Sequence, residues 1–218
     1  MFFSRLGLTP DDSDDPDAAA AFEQWQLDQQ SHQRPDNEVA GTVAVDAVVT
    51  RSPDAAAVLD RLDVHSNGVM VHLRVLQRTD PDASADPYMA SVVGVVIGVD
   101  LPDGTVVVGG DGYSPASRTG STLSPRGGGG GGRETSWSWW LTPAPGPGDL
   151  TVHVASVRLG LPEGSVLVEA EKLEAARGRI ERLWPREPDR PYPNPALVAP
   201  EVPSGGWFER ALEAGDPA

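Results

Sequence analysis

The chain has 218 residues and a formal net charge of −15, with 24 glycines, 21 prolines and no cysteine. So acidic a balance repels a phosphate backbone and an anionic lipid surface alike, which argues against nucleic acid and membrane as partners. The absence of cysteine removes disulfides, thiolate zinc sites and cysteine nucleophiles together.

Val, Ile, Leu and Phe make up about 22% of the residues, enough for one core if the ends of the chain stay out of it. The longest apolar run, residues 90–99, falls well short of the roughly 20 residues a membrane-spanning helix needs. The N-terminus runs into Asp11-Asp12-Ser13-Asp14-Asp15 without the apolar stretch or small-residue cleavage pattern of a secretory signal, so the expected compartment is the cytoplasm.

Residues 1–38 read as an acidic arm containing one helix, with Asp15 as N-cap, Pro16 in the first turn and Ala18, Ala21, Phe22 and Trp25 at helical spacing. A domain over 39–185 follows. From Glu38 the period changes to two, and Val43, Val45 and Val49 mark a first strand that Ser52-Pro53-Asp54 ends. Asn67-Gly68 then predicts a two-residue type I′ turn, which pairs Asp63 with His72 and Leu62 with Leu73. In that hairpin Leu62, Val64, Val69, Val71, Leu73 and Val75 share the core face, and Arg61, Asp63, His65, Met70, His72 and Arg74 share the other.

A second hairpin joins 91–99 to 105–108 through Leu101-Pro102-Asp103-Gly104; its first strand is so continuously apolar that burial on both sides is expected. Residues 113–133 lack periodicity and end in six glycines, which predicts a mobile loop. A third hairpin is expected between 134–141 and 150–159, then a short strand over 165–170. A helix over 171–184 follows, with Leu173, Ala176, Ile180 and Leu183 on one face and Pro185 as its stop. Gly178 weakens the middle of that helix. Residues 186–218 form a proline-rich tail. Short strands joined by turns, without a strand–helix–strand rhythm, point to a mainly-β protein. The expected fold is an antiparallel β-sandwich of immunoglobulin-like outline with one N-terminal and one late helix, an open barrel being the alternative.

Several constellations could carry chemistry. Asp63 beside His72 has the orienting half of a catalytic triad, but no Gly-x-Ser-x-Gly elbow supplies a nucleophile, so a surface ion pair is the better reading. His65, His72 and Asp63 share a strand face without metal-ligand spacing, and no metal or other cofactor is expected. Asp11–Asp17 lacks the glycine turn and terminal Glu of a calcium loop, and the glycine run lacks the Gly-Lys-Ser/Thr of a phosphate loop. Adjacent tryptophans on a strand must point to opposite faces. If Trp137, Trp139 and Leu141 face inward with Val152 and Val154, Trp140 stands outward beside Ser136 and Ser138. There Trp140 either stacks on a sugar or docks a partner, flanked by Trp137 and Trp139, or is covered by the C-terminal tail or late helix.

The motifs Trp140-Leu141-Thr142-Pro143-Ala144-Pro145, Gly148-Asp149-Leu150-Thr151-Val152, Gly160-Leu161-Pro162-Glu163 and Leu183-Trp184-Pro185 span about a quarter of the chain. In these the chain resembles an uncharacterised family of actinobacterial proteins. The resemblance implies one compact β domain with variable ends and anchoring tryptophans, and brings no activity or ligand. The expected function is a non-enzymatic protein-interaction module; a small-ligand or carbohydrate-binding domain is the alternative, and a hydrolase built on Asp63 and His72 stands last.

Overall fold

A computed structural model describes residues 32–80, 94–110 and 120–186. The arm helix expected between Asp15 and Ser31 and the proline-rich tail lie outside the described residues. Strand β1 is Glu38–Val39, β2 Gly41–Arg51, β3 Ala55–His65, β4 Gly68–Gln77, β5 Val96–Asp100 and β6 Val106–Gly110. Next come β7 Thr122–Gly131, β8 Glu134–Thr142, β9 Leu150–Ser156 and β10 Leu161–Val168, then helix α1 Ala170–Arg177 and strand β11 Glu181–Arg182.

Two antiparallel sheets form a sandwich, one of five strands in the order β2-β3-β4-β8-β7 and one of four in the order β10-β9-β5-β6. Alternation decides which side chains fill the space between them. Leu59, Leu62, Val64, Val71, Leu73, Trp137, Trp139 and Leu141 of the first sheet belong to one buried cluster with Ile97, Val99, Leu150, Val152 and Val154 of the second. The sheets approach each other at both sides. On one side Thr50 Oγ1 donates to the Pro162 carbonyl at 2.6 Å and Ser52 Oγ to that of Leu159 at 3.2 Å. On the other, Gly109 lies so close to the Leu123 carbonyl that a Cβ would not fit. Helix α1 buries Leu173 and Ala176, and Gly41 of β2 has room for nothing larger beneath the Ala176 carbonyl.

Four expectations are corrected. The hairpin tip is Ser66-Asn67, with His65 paired to Gly68, and neither Asn67 nor Gly68 adopts positive φ, so the turn is not type I′. The glycine is needed instead because its Cα passes against the Trp140 ring and the Leu141 carbonyl. Moving the turn by one residue changes each pairing by two, so both faces keep the predicted membership.

The glycine run is no loop: β7 pairs with β8 along its length, from Thr122 opposite Thr142 to Gly131 opposite Glu134. A Cβ at Gly128 would enter the Trp137 ring and one at Gly130 the backbone of Glu134 and Thr135, so lack of side chains is what lets this strand lie down. Strands β8 and β9 form no hairpin either, because β8 pairs with β4 and β7 while β9 pairs with β5 and β10. The proline-rich connection carries the chain from one sheet to the other. Finally, the late helix ends at Gly178, and Glu181–Arg182 pair with Glu38–Val39.

Candidate functional site

Each sheet has an outer face, and the two differ in chemistry. On the four-stranded sheet, alternation along β5 buries Ile97 and Val99 but turns Val96 outward. The expectation that this apolar run is buried on both sides is therefore corrected: nothing among the described residues covers its second face. Val96 is 49% exposed, and from β6 Val106 and Val108, opposite Asp100 and Gly98, stand 62% and 39% exposed on the same face. Together with Gly98, whose missing side chain lowers the floor, they line an open groove of about 300 Å³. Its polar margin holds Glu163 and an Asp100–His153 pair with Oδ2 and Nε2 2.9 Å apart. These valines were missed in the sequence because a run of β-branched residues gives no sign of which side lacks cover.

The outer face of the five-stranded sheet is polar. Thr42 Oγ1 donates to Asp63 at 2.8 Å, Arg61 lies 3.3 Å from the same carboxylate, and His72 Nε2 is 2.8 Å away. Burial would raise the Asp63 pKa, but the hydrogen bonds from His72 and Thr42, with the charge of Arg61 nearby, outweigh it and bring it down to about 2. An ionised carboxylate can only accept, so Nε2 carries the proton. The other ring nitrogen, Nδ1, is 3.0 Å from Ser138 Oγ. The pair expected from the sequence thus has a hydroxyl neighbour, which places carboxylate, imidazole and serine in line.

Ser138 nevertheless sits inside β8 with β4 on one side and β7 on the other. Its peptide N–H lies in the sheet plane and cannot point at an oxyanion on the face, unlike the donors that serve acyl transfer. His65 does not join this line. It is 6% exposed, turned under Trp140 with ring centroids 5.6 Å apart, and its Nδ1 has no partner among the described residues. Burial pushes its pKa below the usual imidazole value, with Arg34 adding to the effect. Among the described residues no three His, Asp or Glu side chains converge as a ligand set.

The tryptophans fall on opposite faces of β8, as alternation requires. Trp137 and Trp139 face the core with centroids 6.4 Å apart, and neither indole N–H has a partner among the described residues. Trp140 is on the outer face but is fully buried, its indole N–H donating to the His32 carbonyl at 2.8 Å. The segment around it is pinned further by Asn67 Nδ2 donating to the Gln33 carbonyl and Ser66 N–H to Glu38. Among the described residues it is therefore the stretch entering β1, rather than the late helix, that meets this indole, and neither of its ring faces is open to a sugar. Trp184, by contrast, is 56% exposed and is held through its backbone, where its carbonyl accepts from Asn37 Nδ2 at 2.7 Å.

No protein-family model matches the chain, and no curated protein matches it. Among solved structures it is similar to the GAE domain of GGA2p from Saccharomyces cerevisiae. The identity is 12% and the TM-score 0.24, over 57% of this chain and 96% of that one. No helix among the described residues is long and apolar enough to cross a membrane.

Proposed function

We propose that the protein is a non-enzymatic, cytoplasmic interaction module that docks a protein segment carrying apolar and basic side chains against the outer face of β10-β9-β5-β6. The observation that carries this reading is the exposure of Val96, Val106 and Val108 along one groove that runs over two neighbouring strands. Fully burying a valine is worth roughly 1.5–3 kcal/mol, so three half-exposed ones offer about 1 kcal/mol each to whatever covers them. That sum suits the apolar centre of a modest interface, with Asp100 and Glu163 on the rim. The acidic rim and the chain's net charge of −15 favour a basic occupant. The in-plane N–H of Ser138 supports binding rather than acyl transfer.

The reading is tested by selecting displayed peptides on the full chain. Enriched sequences should pair apolar with basic residues, and binding should be lost in a Val106→Asp/Val108→Asp variant that melts like the parent. Enrichment of acidic sequences, or peptides that bind this variant as well as the parent, would overturn it.

A further inference from the structure

A second cleft, of about 370 Å³, opens on the polar face of the other sheet. Its floor is His72 and Ser138, and its walls include Met70 from β4, Arg126 from β7 and Arg34 from the entering segment. Both arginines are exposed, and among the described residues neither side chain has a carboxylate partner or a hydrogen bond. In a chain whose acidic residues outnumber its basic ones 32 to 17, two unpaired arginines beside one hydroxyl are a local reversal of charge.

The neighbouring carboxylate does not cancel them. Asp63 is already engaged by Thr42, Arg61 and His72, and it fixes the ring so that Nδ1 faces Ser138. Ser138 Oγ, holding one bond to that nitrogen, keeps further hydrogen-bonding capacity towards the cleft. Planar guanidinium forks match the oxygen spacing of tetrahedral oxyanions, and such charge-assisted bonds are stronger than neutral ones.

We infer that this cleft binds a tetrahedral oxyanion, free or as a phosphate monoester, between Arg34 and Arg126 with Ser138 beneath it. The site is independent of the valine groove, because it lies on the other sheet and uses none of the same residues.

The experiment titrates the full chain with inorganic sulfate, and separately with phosphoserine, while following the His72 ring resonances by NMR. Both ligands should shift these resonances saturably. Arg34→Ala and Arg126→Ala should each weaken binding roughly tenfold, the loss expected of one charge-assisted contact. Ser138→Ala should weaken it severalfold, and Arg51→Ala, at the end of β2, should leave it unchanged. The inference fails if sulfate and phosphoserine cause no saturable shift, or if Arg34→Ala and Arg126→Ala, with melting like the parent, bind as the parent does. A uniform loss across all four variants, Arg51→Ala included, would mark general charge attraction and would also overturn it.

Discussion

Two glycines one position apart give a sharp test of how β7 is held. A methyl group added at Gly128 would overlap three carbons of the Trp137 ring, whereas one added at Gly129 meets nothing within 4 Å. Trp137 is itself confined, at 9% exposure and packed beside Trp139, so the ring cannot simply swing clear. Gly128→Ala must lift β7 from β8 or displace the indole, at the roughly 1–3 kcal/mol typical of overpacking. Both variants also stiffen the unfolded chain, which stabilises by about 0.4–1 kcal/mol where the backbone is compatible, and neither glycine has a left-handed φ. That gain is common to the pair and cancels in the difference. Gly128→Ala should therefore unfold with about 1–3 kcal/mol less stability than Gly129→Ala. Urea melts followed by tryptophan fluorescence measure this, the slopes being compared to confirm an unchanged unfolding reaction. Equal midpoints for the two variants would refute the reasoning and return the run to the linker its composition suggests.

The Asp63 network predicts a pH signature. Its folded pKa of about 2 lies below the ordinary 3.8, so its contribution is complete above pH 3.8 and is lost as pH falls towards 2. The shift sets an upper limit of about 2 kcal/mol, reduced by partial solvent screening. Parent and Asp63→Asn should therefore differ most near neutrality and converge between about pH 4 and 2; parallel stability curves would count against it. Trp140→Phe should remove the bond to the His32 carbonyl, costing about 0.5–1.5 kcal/mol for that bond alone. Backbone amides of the Ser66-Asn67 tip, tied to the same segment, should then exchange faster by hydrogen–deuterium measurement; unchanged exchange would separate the two contacts.

The parts of the fold legible in the sequence were those written in side-chain alternation. The six core-facing and six outward positions in β3 and β4 fell on the predicted faces even though the turn sits one residue earlier, because a two-residue change of register preserves parity. The same rule set Trp140 on the face opposite Trp137 and Trp139, without saying which of the two faces the core. What alternation could not express was contact between distant backbones. Glycine in β7 carries no hydropathy signal, and its meaning depends on an indole in the next strand. The β8–β9 connection looked like a turn because sequence proximity does not say which sheet receives the returning strand. Likewise, Asp63 and His72 were recognisable as neighbours, but Ser138 lies 66 residues from His72 and arrives only through β4–β8 pairing.

The edges of the sheets bear on where a partner would attach. Three edge strands carry irregularities that spoil a template for further pairing. β2 shifts register twice and holds Asp46 at φ 46°, β10 shifts between Leu161 and Gly164 beside Pro162, and β7 shifts between Pro125 and Gly127. The fourth edge, β6, pairs with β5 in unbroken register from Val106 to Gly110. Its outward side chains are valines rather than the charges or prolines that usually guard such an edge. Gly109 meets Leu123 of β7, which leaves the Val106–Val108 stretch with no second neighbour strand among the described residues. A regular strand with exposed β-branched residues is a hazard for a protein that stays alone and an asset for one that is covered when in use. The least guarded edge and the exposed valine groove coincide at β6, so an extended partner segment could use the backbone of Val106–Val108 and the groove together, giving the proposed interaction both hydrogen-bonded direction and apolar burial.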